Sequence, residues 1–197
     1  MGSFDRKALS QNQERAQRYR AGMTEEMHAY LENRGISRLV ADRFMLGRCD
    51  DVHEGWLAIP YLRPSGVVWF NYRRMDDGKP KYMASGQRHL FNTAALDQAD
   101  QTGEVAVSEG ELDAIVATAS GVPCVGVPGA TQWVGNPAWR ELFVGYQRVW
   151  ILADPDDAGL GFAQSIMDVL PAARLVKLPG DVTDTLLAGR DVKEFMK

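Results

Sequence analysis

Val149 to Phe162, VWILADPDDAGLGF, constrains this chain more than any other stretch. Five apolar residues, Val149 to Ala153, run into the cluster Asp154-Pro155-Asp156-Asp157 and then into Ala-Gly and helix formers. An unbroken apolar run that stops at Pro and acidic residues suits a strand buried on both faces. Leu160, Ala163, Ile166, Met167 and Leu170 then recur at helical spacing, which predicts a helix over 158–170. Asp154 and Asp156 therefore sit at the carboxyl end of an inner strand, the edge at which open parallel α/β sheets bind ligands. Two carboxylates two residues apart on such a turn can face one cation. Alternatively Asp156 or Asp157 caps the following helix; that accounts for Asp157, but not for Asp154 ending the strand.

The pattern recurs on either side. Glu104 to Ser108 is a short β-rich run followed at once by Glu109-Gly110-Glu111-Leu112-Asp113-Ala114, and Ala173 to Leu178 leads through Pro179-Gly180 to Asp181 and Asp184. If these strands are parallel, Glu109, Asp154, Asp156 and Asp181 meet at one sheet edge. Like charges about 4 Å apart repel by ~4 kcal/mol per pair at an effective dielectric near 20. Such a cluster needs a cation or takes up protons. Oxygen ligands without nearby His or Cys favour Mg²⁺ or Mn²⁺ over Zn²⁺.

From Glu104 onward, strand and helix alternate. The sequence predicts strands over 105–108, 123–127, 148–153 and 174–178, with helices over 111–119, 137–143 and 158–170 and helical segments near 183–187 and 190–196. That is the signature of a parallel sheet with helices on both faces. Neither a GxGxxG fingerprint nor a GxxxxGK[ST] loop occurs, which disfavours a nicotinamide enzyme and a P-loop ATPase.

The first hundred residues read differently. Positions 1–20 hold too few apolar groups for a self-sufficient helix and are either frayed or docked on a neighbour. Thr24 caps a helix running to about Asn33, Gly35 ends it, and Ser37 caps another. Gly55–Leu62 and Gly66–Tyr72 form a hairpin around Arg63-Pro64-Ser65. The polar stretch 98–103 makes a seam between two lobes, 1–102 and 103–197. Charge follows the same division: residues 1–103 carry 15 Lys or Arg against 13 Asp or Glu, and residues 104–197 carry 7 against 13. Within 55–91 six cations (Arg63, Arg73, Arg74, Lys79, Lys81, Arg88) face two anions, Asp76 and Asp77. A cationic strip beside an acidic metal site suits a polyanionic substrate; a solvated charged face is the other explanation.

Cys49 and Cys124 form no CxxC, so neither a disulfide framework nor a zinc knuckle is supported. His28, His53 and His89 are isolated. No apolar run reaches the length of a membrane span and no signal-peptide core is present. The expectation is a cytoplasmic protein with no membrane partner.

Glu109-Gly110-x-x-Asp113-Ala114, then Asp154-x-Asp156-x-Ala158-Gly159, then Asp181-x-x-Asp184 resembles the Toprim domain shared by bacterial-type primases, topoisomerases and some nucleases. Ahead of it, Gly55-Trp56-Leu57-Ala58-Ile59-Pro60-Tyr61, Gly66-Val67-Val68, Arg73, Gly78-Lys79-Pro80-Lys81-Tyr82-Met83-Ala84-Ser85 and Leu90-Phe91 resemble the amino-terminal lobe of the primase RNA-polymerase core. The resemblance covers about residues 24–188. It implies an α/β fold, a Toprim parallel sheet preceded by a smaller α+β lobe. It also implies a phage-type or bacterial-type primase core, joining ribonucleoside triphosphates into RNA primers on a single-stranded DNA template.

Residue by residue, the resemblance makes Glu109 a metal-binding acid that helps activate the attacking 3′-hydroxyl, and makes Asp154 and Asp156 metal ligands. Asp181 and Asp184 match a third acidic motif, and Asp113 supports the site or favours a helix start. Arg73, Lys79 and Lys81 face nucleotide phosphates or template. Gly129 and Thr131 match a Gly-x-Thr where a small residue lets backbone approach the site. The chain departs from the family in lacking the cysteines of a zinc-binding domain, in ending soon after the Toprim motifs, and in carrying Trp56 where many members carry Arg. A separate zinc-binding subunit or a replicative helicase is the partner these gaps imply. The alternatives are a Toprim nuclease or strand-cleaving enzyme, and a non-catalytic nucleic-acid or nucleotide-binding module.

Overall fold

A computed structural model describes residues 5–84, 86 and 88–197. Its contacts divide the chain into two units, Met1–Gln87 and Arg88–Lys197. The division falls ahead of the polar stretch at 98–103, because Leu90, Ala95 and Ala99 are buried in the core of the second unit.

The first unit is α+β. It holds α1 (Arg6–Ala21), α2 (Glu25–Glu32) and α3 (Arg38–Arg43), then β1 (Gly47–Arg48), β2 (Leu57–Arg63), β3 (Gly66–Arg73) and β4 (Tyr82–Ala84). The strands form one antiparallel sheet in the order β1-β2-β3-β4. Thr24 and Ser37 cap α2 and α3 as their positions predict, accepting from the amides of Met27 at 3.3 Å and Val40 at 3.4 Å.

The polar α1 is docked rather than frayed. Ala16 and Tyr19 bury against Ala58, Phe70 and Tyr72 on the sheet, with the Tyr19 and Phe70 rings edge-on at 5.5 Å. What apolar area does not supply, charge does. Arg15 reaches Asp51 at 3.2 Å and Arg18 reaches Asp50 at 2.7 Å, while the Tyr19 hydroxyl donates to Asp51. Arg15 also donates to the Tyr72 hydroxyl at 3.2 Å, tying helix, loop and strand through one guanidinium.

The second unit is α/β. Its parallel sheet has the order β6-β5-β7-β8, from β5 (Glu104–Ser108), β6 (Cys124–Gly126), β7 (Arg148–Leu152) and β8 (Ala173–Leu175). Around it lie α4 (Ala95–Thr102), α5 (Glu111–Ala119), α6 (Ala130–Gly135), α7 (Asp157–Met167) and α8 (Val182–Leu187), with 3-10 turns at Pro137–Phe143 and Val192–Phe195. The central pair β5 and β7 supplies Val105, Val107, Val149 and Ile151 to the core, joined by Phe162 and Ile166 from α7. Side chains of this kind stabilise by about 1.5–3 kcal/mol each when fully buried. The stretch expected as a polar seam is the last turn of α4, which anchors through two small residues, Ala95 and Ala99. Among the described residues, no helix is long and apolar enough to cross a membrane.

The Asp51 network predicts an acid-sensitive attachment of α1. Partial burial pushes the Asp51 carboxyl up, but donation from Tyr19, the Val52 amide and Arg15 outweighs it and holds the carboxyl well below the usual range. A depressed folded pKa contributes stability above the unfolded value, near pH 4, and loses it as pH falls further. Asp51→Asn is expected to remove the part of the acid transition that begins below about pH 4. At neutral pH it costs about 1 kcal/mol, after allowance for solvent screening. Thermal melts of both proteins across an acid pH series check this.

Candidate active site

The register of the parallel sheet gathers the carboxylates. Ser108, the last residue of β5, lies across from Leu152, the last of β7. Glu109 and Asp154 therefore leave the sheet from the same edge on adjacent strands. The Ser108 hydroxyl donates to the Gly110 carbonyl at 3.0 Å, which fixes the turn presenting Glu109 at the start of α5. On the neighbouring strand Asp156 caps α7, accepting from the Gly159 amide at 2.8 Å. The cap is thus Asp156 and not Asp157, which is already the first helical residue. One carboxylate holds the helix start and faces the same edge as Asp154.

The chemical state of the three acids follows from that placement. Glu109 is half-buried, and Asp154 and Asp156 are exposed. The Glu109 carboxyl is pushed up, first by its burial and then by the negative charges of Asp154 and Asp156. Among the described residues no three His, Cys, Asp or Glu side chains are gathered tightly enough to hold a metal ion as they stand. The donor set nonetheless suits a hard divalent cation. It is oxygen-only, drawn from two adjacent strand ends, and it carries a mutual repulsion that such a cation relieves.

The other expected residues divide by place. Asp181 caps α8, accepting from the Asp184 amide at 2.7 Å, so both stand beyond the carboxyl end of β8. They do not figure among the charges that raise Glu109. Asp113 lies in the first turn of α5, half-buried. Gly129 precedes α6 with φ near 87°, and among the described residues no atom beyond its chain neighbours lies within 4 Å of where its Cβ would stand. Glycine is required there by the backbone angle, and the protein leaves the space beside it open. Thr131 is exposed on the first turn of α6.

In the first unit, Lys79 and Lys81 are exposed ahead of β4. Arg73 is not on the surface; it is only 4% exposed. Its Nε donates to the Tyr30 hydroxyl at 2.8 Å, its Nη1 donates to the Tyr82 hydroxyl, and its guanidinium lies 4.8 Å from the Tyr82 ring centroid. A buried, stacked guanidinium is oriented far more firmly than a surface one.

Two features carry more of the site than their residue types suggest. A Cβ on Gly159 would stand 2.1 Å from the Asp154 carbonyl oxygen, so α7 packs directly on the backbone of the acidic turn. The Ala-Gly that follows the two aspartates is the sequence signal for that contact. Tyr30, which orients Arg73 from α2, has no such signal, because it lies 43 residues away in the chain.

No family model matches the chain. Solved structures match it along nearly its whole length. The RNA polymerase domain of Mycobacterium tuberculosis primase DnaG superposes with a TM-score of 0.78 at 19% identity, covering 99% of this chain and 84% of that one. The Aquifex aeolicus primase fragment with zinc-binding and RNA polymerase domains gives 0.74 at 22%, covering 98% of this chain and 61% of that one. The primase fragment of the bacteriophage T7 primase-helicase gives 0.65 at 22%, covering 89% and 79%. The chain thus has the fold of the primase RNA polymerase domain. The Gene 57 protein of Mycobacterium phage D29 is 45% identical over 147 residues, 71% of this chain and 94% of that protein. The chain belongs to the family of that phage protein.

The Gly159 contact yields a test of how the acidic turn is held. Gly159→Ala is expected to cost about 1–3 kcal/mol through overpacking against backbone that has no side chain to move aside. Gly161→Ala, in the same helix with open space around its Cβ position, is expected to be neutral or slightly stabilising. Chemical denaturation of both variants measures the difference.

Proposed function

We propose that the chain is the catalytic core of a DNA primase, a nucleotidyltransferase of the Toprim class that makes RNA primers on single-stranded DNA from ribonucleoside triphosphates. The observation that carries the proposal is the placing of Glu109, Asp154 and Asp156 at the carboxyl edge of the parallel sheet, with Glu109 raised by its burial and then by the other two. The primase fold supports it. So do the contents of two solved neighbours, one an M. tuberculosis DnaG domain with double-stranded DNA and the other a DnaG catalytic domain with single-stranded DNA.

In this reading Glu109, Asp154 and Asp156 would hold Mg²⁺ or Mn²⁺, with Asp181 or Asp184 as a further ligand and Asp113 in support. Bound divalent cations supply charge neutralisation at the triphosphate and polarise the attacking hydroxyl. Glu109, whose carboxyl is raised by burial and by the two aspartate charges, is the candidate to take the proton of a 3′-hydroxyl. Asp154 and Asp156 stand at an exposed edge, where a triphosphate has access. Gly129 and Thr131 leave room at the neighbouring strand end. Arg73, buried and held by two tyrosines, supports the strand from beneath, while Lys79 and Lys81 meet the strand backbone. The rate gain in such transfer comes mainly from positioning and electrostatics. A separate zinc-binding subunit or a replicative helicase would raise the local template concentration without a new contact at the site.

Asp156→Asn retains a good helix cap, so it is expected to leave the melting temperature unchanged or raised while lowering primer synthesis by roughly a hundredfold or more. Glu109→Gln and Asp154→Asn are expected to behave likewise. Primer synthesis on a mixed single-stranded template, with Mg²⁺ and then Mn²⁺, tests the proposal. Full synthesis by folded Asp156→Asn protein would refute it, and metal-dependent cleavage of the strand without synthesis would favour the Toprim nuclease instead.

The lysines give a separate expectation. Each phosphate contact to a single strand contributes about 0.7 to the slope of log affinity against log salt. Lys79→Ala with Lys81→Ala should therefore flatten that slope by about 1.4 if each meets one phosphate. An unchanged slope would leave both lysines as solvated surface.

A further inference from the structure

The first unit contains a cavity of about 770 Å³ that the carboxylate site does not use. Met27, Tyr30, Trp56, Arg74 and Met75 line it. These side chains offer polarisable and aromatic surface, and two of the rings carry guanidinium partners. Arg74 lies 5.2 Å from the Trp56 ring centroid, and Arg34 lies 5.1 Å from that of Tyr30. His53 stacks on Trp56 from outside the lining, at 5.0 Å with 28° between planes. Arg74 is fixed. Asp76 takes both its Nε, at 2.6 Å, and its Nη2, at 2.7 Å. Its guanidinium also passes so close to Gly78 that a Cβ there would stand 2.4 Å from the arginine Cζ.

The charges narrow what the cavity accepts. Arg48 is paired with Glu54 at 3.8 Å and Arg74 with Asp76, which leaves Glu26 as a further anion on the lining. Among the described lining residues both cations have carboxylate partners, so a triphosphate or sugar-phosphate group finds no spare one there. A planar, uncharged group that stacks does find partners, because bases stack on aromatic rings and on arginine planes alike. Beside the cavity, the Arg74 amide donates to the Lys81 carbonyl at 3.0 Å, which places exposed Lys81 next to Arg74 across the strands.

We propose that this cavity takes an unstacked base of single-stranded DNA between Tyr30 and the Trp56–Arg74 pair, with the strand's phosphates outside it along Lys81 and Lys79. The proposal rests on the reading of the chain as a primase core, for which the single strand is the template, and it adds a base-holding site where the chain carries Trp56. Stacking of this kind is tolerant of sequence, so the site grips the strand without reading it.

The test uses the whole chain and fluorescence anisotropy with a labelled oligothymidylate of about twelve nucleotides, within the span of one such site. An abasic oligomer with the same number of phosphates is the control. The parent is expected to bind the base-bearing strand roughly tenfold more tightly than the abasic one. Trp56→Ala is expected to lose most of that preference, and Trp56→Phe to keep it. Gly78→Ala, which moves the Arg74 guanidinium off the indole without touching a backbone contact, is expected to weaken base-dependent binding by roughly threefold or more. Circular dichroism confirms the fold of each variant, and if Trp56→Ala does not fold, Gly78→Ala and Trp56→Phe decide. Equal affinity of the parent for base-bearing and abasic strands overturns the proposal. So does unchanged base preference in folded Gly78→Ala, or a Trp56 signal that answers to ribonucleoside triphosphates but not to the strand. Template-directed synthesis that persists through any of these results leaves the primase reading standing, whereas a parent that neither binds the strand nor makes primers removes both.

Discussion

The parallel pairing of β5 with β7 is the constraint on which the candidate site of the second unit depends. Glu109, Asp154 and Asp156 are brought to one edge, where burial first and the two aspartate charges second raise the Glu109 carboxyl. A loop would let them swing apart; strand ends do not. The pairing of Ser108 with Leu152 fixes the offset between β5 and β7, and the buried Val105, Val107, Val149 and Ile151 fix which strands are neighbours. A one-residue slip would turn each of those side chains to the opposite face, so the apolar core enforces the register on which the site depends. Asp156 caps α7, where the helix dipole favours a negative charge. Gly159 then seats that helix against the Asp154 backbone.

The first unit meets a different difficulty, too little apolar surface on its leading helix. It is met with ionic and phenolic contacts in place of area. Arg15 serves Asp51 and two tyrosine hydroxyls, so one side chain links α1, the loop after β1 and β3. Such bonds are worth more than exposed ion pairs only because Tyr19 and Tyr72 are buried beside them. Arg73 follows the same logic on the sheet, with Tyr30 and Tyr82 satisfying a guanidinium that the fold has taken out of solvent.

Much of this is legible in the sequence, and the exceptions have identifiable causes. The α/β alternation and the hairpin are plain because long apolar runs and helical spacing are local signals, and Thr24 and Ser37 mark their helices because capping is local too. The acidic residues at strand ends are legible for the same reason. Three things were not. α4 is held by Ala95 and Ala99, too small to stand out from a polar stretch. α1 has no apolar stripe, and its partners Asp50 and Asp51 lie more than thirty residues downstream. Arg73 reads as a free cation because the two hydroxyls that enclose it come from elsewhere in the fold. Charge read from sequence counts residues; it does not count which of them are already engaged.

That distinction governs how the whole chain meets a polyanion. Lys and Arg number 22 against 26 Asp and Glu, and several cations are committed to partners within the described residues. Arg15, Arg18, Arg20, Arg38, Arg48, Arg74 and Arg190 all stand in ion pairs, and Arg73 is buried. Exposed pairs of this kind contribute little to stability, but each lowers the field the surface offers to phosphate. Long-range attraction of DNA is therefore weak at physiological salt, where charges separated by more than about 8 Å are screened. In the proposed function, affinity for a single strand would have to come from short-range contacts, namely surface lysines touching phosphates and aromatic surface touching bases. An arginine engaged by Asp76 is poor at drawing a strand in, yet with its guanidinium fixed 5.2 Å from the Trp56 ring centroid it is already ordered for the base that the proposed site would take.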